Sequence, residues 1–175
     1  MPLSSTLLQQ YPNPVFIETG AYLGDGIQAA LDAGFEEIIS IELAPKYVAH
    51  CRKRFQGNPR VQIVEGDSGH ILDQVIRPID RSITFWLDGH YSGGDTAKGT
   101  WVAPLLQELT FIRQHPIKTH TLLIDDLRVW RDPAYGHQFS IEELYTYIRQ
   151  ISPAYQFTLA DGHIPDDILV AYTRI

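Results

Sequence analysis

Five short apolar runs alternate along this chain with stretches of helical periodicity. That alternation leaves few architectures besides an open, mostly parallel α/β sheet. The runs are Val15–Ile17, Glu37–Ile41, Val61–Glu65, Ile83–Leu87 and Thr121–Ile124. Between them, 27–33, 45–55, 68–76 and 101–114 read as helices, the last with apolar residues at 102, 105, 106, 109 and 112. Gly34 is placed to stop the first of these, and Pro45 suits the first turn of the second. Ser140 and Glu143 spell a capping box for a further helix reaching Ile151. The polar stretches 88–100 and 127–139 read as loops. The final runs, Tyr155–Leu159 and Ile168–Tyr172, have only a short Gly/Pro/Asp-rich link between them. No helix fits there, so these two strands must pair antiparallel.

The 175 residues fit one domain, 1–175, and 44% of them are hydrophobic, enough for a real core. Fourteen basic against 21 acidic residues give a net charge of −7, which argues against a broad nucleic-acid face. Cys51 is the single cysteine, so no intrachain disulfide can form. The start, Met1-Pro2-Leu3-Ser4-Ser5, has no signal-peptide pattern, and no apolar run approaches the roughly 18 residues of a membrane span. The expectation is a soluble cytoplasmic protein that binds neither nucleic acid nor membrane.

In an open parallel sheet, ligands sit beyond the carboxyl ends of the strands where strand order reverses. Here those ends carry acids: Glu18, Glu42, Asp67 after Gly66, Asp88, and Asp125 with Asp126. The segment Glu18-Thr19-Gly20-Ala21-Tyr22-Leu23-Gly24 resembles the first motif of class I S-adenosylmethionine-dependent methyltransferases, an acid followed by spaced glycines. Glycine lets the backbone approach the methionine part of that cofactor. Tyr22 departs from the usual form, in which a middle glycine is common. Five parallel strands and a terminal antiparallel hairpin also fit that family. The resemblance implies a three-layer Rossmann-like fold with a seven-stranded mixed sheet, order 3-2-1-4-5-7-6, the last strand antiparallel.

A rival lies in the same loop, where Gly24-Asp25-Gly26-Ile27-Gln28-Ala29 fits a dinucleotide fingerprint. That fingerprint should begin directly where the strand ends, and here the strand ends several residues earlier, near Glu18. An acid there would also repel a cofactor diphosphate. Glu42 supports a nucleoside in either family, by accepting hydrogen bonds from ribose hydroxyls. Leu43 is placed to pack on the adenine. Glu65-Gly66-Asp67-Ser68 resembles the methyltransferase segment that reads the adenine edge, and the resemblance implies that Asp67 accepts from the adenine amino group. The alternative for Asp67 is a helix N-cap. The cofactor set is thus Glu18, Gly20, Gly24, Glu42, Leu43, Asp67 and Ser68.

Leu87-Asp88-Gly89-His90 and Leu123-Ile124-Asp125-Asp126 carry sharper chemistry. In the methyltransferase strand order, strand four lies between strands one and five, and neighbouring strands are about 4.8 Å apart. Asp88 should then stand beside Asp125 and Asp126, next to the cofactor sulfonium. Three close carboxylates repel unless a hard divalent cation joins them. The arrangement resembles metal-dependent O-methyltransferases that modify sugar hydroxyls of macrolide and aminocoumarin natural products. The resemblance implies magnesium held by Asp88, Asp125 and Asp126, and a histidine base near the first aspartate. His90 is the best candidate here, with Tyr91 next to it. Successive strand residues point to opposite faces, so Asp125 and Asp126 can share an ion only if the strand has already ended.

The glycine-rich stretch 91–100 with Lys98, and the 127–139 stretch with Arg128, Trp130, Arg131 and His137, are placed to wall an acceptor site or simply to connect elements. For each of the other six histidines, packing or surface is the simpler role. The expected activity is O-methylation of a small hydroxylated acceptor. A cofactor-binding module without catalysis is the competing class. With no added substrate domain, acceptor recognition falls to loops or to a second subunit of a homo-oligomer.

Overall fold

The computed structural model describes residues 3–89, 104–131 and 140–173. Its elements run in the order α1 (Ser5–Leu8), β1 (Val15–Thr19), α2 (Asp25–Ala33), β2 (Glu37–Glu42), α3 (Pro45–Arg54), β3 (Val61–Glu65) and α4 (Ser68–Ile76). They continue with β4 (Ile83–Leu87), α5 (Leu105–Gln114), β5 (Thr121–Ile124), α6 (Leu127–Arg131), α7 (Ile141–Ile151), β6 (Gln156–Ala160) and β7 (Ile168–Tyr172). The seven strands form one sheet in the order β3-β2-β1-β4-β5-β7-β6. β1 to β5 pair in parallel, and β7 is antiparallel to both β5 and β6. This is the strand order, with an antiparallel last strand, that the methyltransferase resemblance implies.

Side-chain alternation divides the core into two layers. Val15, Ile17, Phe85, Leu87, Leu122 and Ile124 face a cluster with Leu72 and Ile76 of α4, Leu105 and Leu109 of α5, and Leu144 and Ile148 of α7. Their chain neighbours Phe16, Trp86 and Leu123 face the other side, with Leu8 of α1, Ile27 and Ala30 of α2, and Cys51 of α3. Both faces are covered, which is why β1, β4 and β5 are buried along their whole length. Trp86, Phe16 and Phe85 are among the largest fully buried side chains, each contributing about 2–3 kcal/mol of apolar burial.

Helix ends follow local chemistry where it is local. Gly34 closes α2 at φ +94°, and Pro45 opens α3. Ser140 and Glu143 form the reciprocal capping box at α7. Two segments differ from expectation. The 127–139 stretch is not a loop throughout, because α6 occupies Leu127–Arg131. Its first amides are capped from a distance: Leu127 N–H donates to the Asp167 carbonyl at 2.8 Å, and Arg128 N–H to Asp167 Oδ1 at 2.9 Å. A cap borrowed from residue 167 leaves no mark in the neighbouring sequence. The short α1 near the start is also additional, capped by Ser4 and anchored by buried Leu8. Within the 101–114 stripe, the described helix begins after Pro104.

Among the described residues, no helix is long and apolar enough to cross a membrane. The sheet order reverses at β1, which lies between β2 and β4. The carboxyl ends of these three strands and of β5 frame the candidate site.

Candidate functional site

The site begins at the turn after β1. Gly20 adopts φ +90°, and a Cβ there would lie 2.7 Å from the carbonyl oxygen of Asp88. Only glycine allows the β1 and β4 ends to meet this closely. The register explains the meeting, since Thr19 pairs with Leu87 and the next residues on each strand are Gly20 and Asp88. Gly20 N–H is held by the Ile41 carbonyl at 2.9 Å, so the turn is tied to β2 as well. Tyr22, the departure from the methyltransferase motif, sits at φ +46°, a conformation uncommon for a bulky residue. Its N–H donates to Glu42 Oε2 at 2.9 Å, while Ala44 N–H donates to Glu42 Oε1 at 2.7 Å. A carboxylate offers about four acceptor directions. Two of them hold the backbone here, and the remainder suit a pair of hydroxyls.

Glu18 takes a different place from the rest of its set. Its carboxyl is 1% exposed and turned into the protein, where Ser40 Oγ donates to Oε1 at 2.6 Å. Glu18 and Ser40 are register partners on β1 and β2, which brings their side chains together. Burial pushes the Glu18 carboxyl up to about 8, against the Ser40 hydrogen bond and with help from Asp88, Glu42 and Asp25. A Cβ on Gly26 would stand 2.0 Å from Glu18 Oε2. Glu18 thus supports the first turn of α2 from beneath.

This also explains the glycine pattern that mimics a dinucleotide fingerprint. A Cβ on Gly24 would meet the Phe55 ring at 2.7 Å, and the space beside Gly26 belongs to Glu18. Both glycines are spaced for packing against the protein's own side chains.

At β3, Asp67 caps α4, with Oδ1 accepting from Gly69 N–H at 3.0 Å, so its N-cap role is realised. Ser68 is buried beside it, and Leu43 is half-buried after Glu42. A Cβ on Gly89 would lie 3.3 Å from Ser68 Oγ and 3.2 Å from Glu108 Oε1. Glu108, a residue not singled out from the sequence, is 1% exposed and lies under the Asp88–Gly89 turn. Its Oε1 has no hydrogen-bond partner. Burial pushes its carboxyl up to about 7; the Ser68 and Thr19 hydroxyls pull the other way, and Asp67 and Asp88 add to the rise. The signal was present, because the spacing that aligned 105, 109 and 112 puts 108 on the same inward face.

The three aspartates converge. Leu87 pairs with Ile124, so Asp88 and Asp125 follow side by side. Asp125 N–H donates to the Leu87 carbonyl at 3.3 Å. β5 has ended at Ile124, and Asp126 turns at φ +60°, so alternation no longer separates Asp125 from Asp126. One carboxylate oxygen from each of Asp88, Asp125 and Asp126 lies within 4.8 Å of the others. Asp125 is 3% exposed, and its Oδ1 has no hydrogen-bond partner. Burial first, then Asp88 and Asp126, push its carboxyl up to about 8, with the Asp126 amide opposing. Arg128 forms ion pairs with Asp126, at 2.5 Å, and with the fully buried Asp167.

His90, Tyr91, the glycine-rich stretch with Lys98, and His137 lie outside the described residues. Two other histidines do pack inside. Ile83 N–H donates to His120 Nδ1 at 3.1 Å, His120 Nε2 meets His115 Nδ1 at 3.0 Å, and His115 Nε2 reaches the Ile79 carbonyl at 3.0 Å. Both rings fit this chain as neutral Nε2–H tautomers, and burial drives His120 down to about 3, with His115 and Lys118 adding to the shift. They pack at the opposite end of the strands and take no part in the site.

No family model matches the sequence, and no curated protein matches it either. Solved structures do match in three dimensions. The SAH-bound methyltransferase PaMTH1 of Podospora anserina superposes at TM-score 0.66 and 14% identity, over 98% of this chain and 76% of that one. The fold is that of the class I methyltransferases. The O-methyltransferase TomG of Streptomyces achromogenes, in complex with SAM, follows at TM-score 0.65 and 12% identity, over 98% and 78% of the two chains. The glycopeptide N-methyltransferase MtfA, complexed with sinefungin, matches at TM-score 0.57 and 13% identity, over 100% and 88%. An O-methyltransferase and an N-methyltransferase thus share this fold.

Proposed function

We propose that this chain is an S-adenosylmethionine-dependent methyltransferase that O-methylates a small, sugar-like acceptor with the help of a divalent ion. One observation carries the proposal. Gly20, in the cofactor turn, seats against the carbonyl of Asp88, so that turn and the acid cluster share one point of contact. A methyl donor held by the first and an acceptor held by the second would be neighbours.

The residues suit the cofactor. Glu42 keeps acceptor capacity after binding two backbone amides, as recognition of a ribose diol requires. Gly20 leaves room where a side chain would fill the turn. They also suit a hard cation, because Asp125 Oδ1 is buried with no donor among three mutually close carboxylates. When bound, S-adenosylmethionine supplies a methyl group on a sulfonium sulfur, and magnesium or a similar ion supplies charge that lowers the pKa of an acceptor hydroxyl. Asp88, Asp125 and Asp126 would hold the ion and orient the acceptor. The hydroxyl proton would leave to His90, whose ordinary pKa lies near neutrality. The cofactor would give its methyl group to that oxygen and leave as S-adenosylhomocysteine.

We place the acceptor among small molecules, in a cytoplasmic protein that works alone or as a homo-oligomer. The test is a labelled-methyl assay across polyols and glycosides, with and without magnesium. Transfer that needs the ion and disappears in Asp125→Asn supports the proposal. Tight cofactor binding with no transfer to any acceptor would favour a non-catalytic binding module instead.

A further inference from the structure

The acid cluster already contains a cation. Arg128 Nη1 lies 2.5 Å from Asp126 Oδ1 and is also paired with Asp167. The topology sets this up. β5 and β7 run antiparallel with Ile124 opposite Leu169, and past the end of β5 the Leu127 N–H donates to the Asp167 carbonyl at 2.8 Å, which brings Asp167 beside the turn. Asp167 is fully buried. Its backbone and side chain cap α6 through the amides of Leu127 and Arg128. The guanidinium is therefore held at both its own backbone and its tip, between two carboxylates. Arginine is suited to this, being always charged and planar. Asp126 has the Arg128 guanidinium against it, and Asp125 Oδ1 is buried with no hydrogen-bond partner.

We propose that Arg128 is a built-in counter-ion that competes with a divalent ion for Asp126, and that Asp167 restrains this competition by drawing the guanidinium away. The inference rests on the metal reading of Asp88, Asp125 and Asp126. In this arrangement a fixed positive charge within one side chain of the site weakens divalent binding by direct repulsion, partly screened by Asp167. It also keeps Asp126 oriented when no ion is present. Asp126 is the ligand whose availability Arg128 sets. Arg128 and Asp167 are thus positioning residues that tune affinity without touching the acceptor.

The test uses the full chain and Mn²⁺ alone, read by the loss of the free-ion electron paramagnetic resonance signal. Removing the charge in Arg128→Met should tighten the Mn²⁺ Kd by about tenfold, while Arg128→Lys stays near the parent value. Asp167→Asn keeps an oxygen for the α6 cap but releases the guanidinium toward Asp126, so its Kd should weaken several-fold. A second readout is thermal: metal-free Arg128→Met should melt lower than the parent protein, yet gain more from saturating Mn²⁺. If Asp167→Asn does not fold, Arg128→Met and Arg128→Lys decide alone. A parent protein that binds Mn²⁺ while Arg128→Met binds equally or less well overturns the inference and leaves the metal reading standing. Binding by Arg128→Met but not by the parent supports Arg128 as the resident cation and removes the divalent ion from the native chain. No binding by either variant or parent overturns both.

Discussion

The two halves of the site treat their carboxylates in opposite ways. On the β1–β2 side, Glu42 has a backbone amide on each oxygen, and Glu18 has Ser40 on one oxygen and Gly26 packed against the other. On the β4–β5 side, Asp125 has a buried oxygen with no hydrogen-bond donor and two aspartates for neighbours, and Arg128 pairs with Asp126. The first half is satisfied by the protein itself and presents hydrogen-bond acceptors of settled geometry. The second half gathers acids whose mutual repulsion is met, among the described residues, by Arg128 at Asp126 and by the raised carboxyl of Asp125.

That contrast can be broken most severely at Gly26. Gly26→Ala would place a methyl group 2.0 Å from a carboxyl that is itself buried and cannot swing aside. A loss of about 3 kcal/mol or more is expected in urea denaturation. An unchanged midpoint would mean that Glu18 is not locked in place. Next comes the pH dependence of Glu18. Its folded value, about 8, lies above the ordinary 4.5, so the folded state holds a proton that the unfolded state releases. Its contribution is therefore complete below about pH 4.5 and is lost as pH rises toward 8. Glu18→Gln should flatten that slope between pH 4.5 and about 8. A parallel slope in the variant would assign the effect to other groups.

The acid half should respond with the opposite sign. Without metal, Asp125→Asn removes repulsion and should leave stability unchanged or raise it by about 1 kcal/mol. With magnesium, the same variant should lose whatever thermal gain the parent protein shows. Destabilisation without metal would show that the Asp125 carboxyl is satisfied in a way this account denies. The smallest effect is expected at Glu108. Glu108→Gln should cost under about 1 kcal/mol, because an amide can serve the same buried position, whereas Glu108→Ala should cost about 2. Equal losses in both would mean that a charge, and not a hydrogen-bonding shape, is needed beneath Gly89.

The strand pattern made most of the fold legible, because period-two alternation and helical stripes are local signals. The strand order that the methyltransferase resemblance implies also places Asp88 beside Asp125, as the β4–β5 register does. What stayed hidden depended on contacts distant in sequence. α6 is capped by Asp167, some 40 residues away, and Arg128 finds its partners across the β5–β7 seam. Gly26 fits a phosphate-binding pattern in sequence, yet the space beside it holds Glu18. The resemblance points Glu18 toward the cofactor, whereas pairing register turns it inward toward Ser40. Glu108 was legible in principle, as a charged residue on an apolar stripe, but only the fold shows what it lies beneath.

The central claim is a nucleoside-cofactor site at the reversal of strand order, anchored by Glu42. Isothermal titration calorimetry of the full chain with S-adenosylhomocysteine, repeated with NAD and with Glu42→Ala, tests it most directly. The account predicts micromolar binding of S-adenosylhomocysteine, little heat from NAD, and a loss of roughly tenfold or more in Glu42→Ala, whose missing carboxylate also strands the Tyr22 and Ala44 amides. Tight NAD binding with no response to S-adenosylhomocysteine would contradict it.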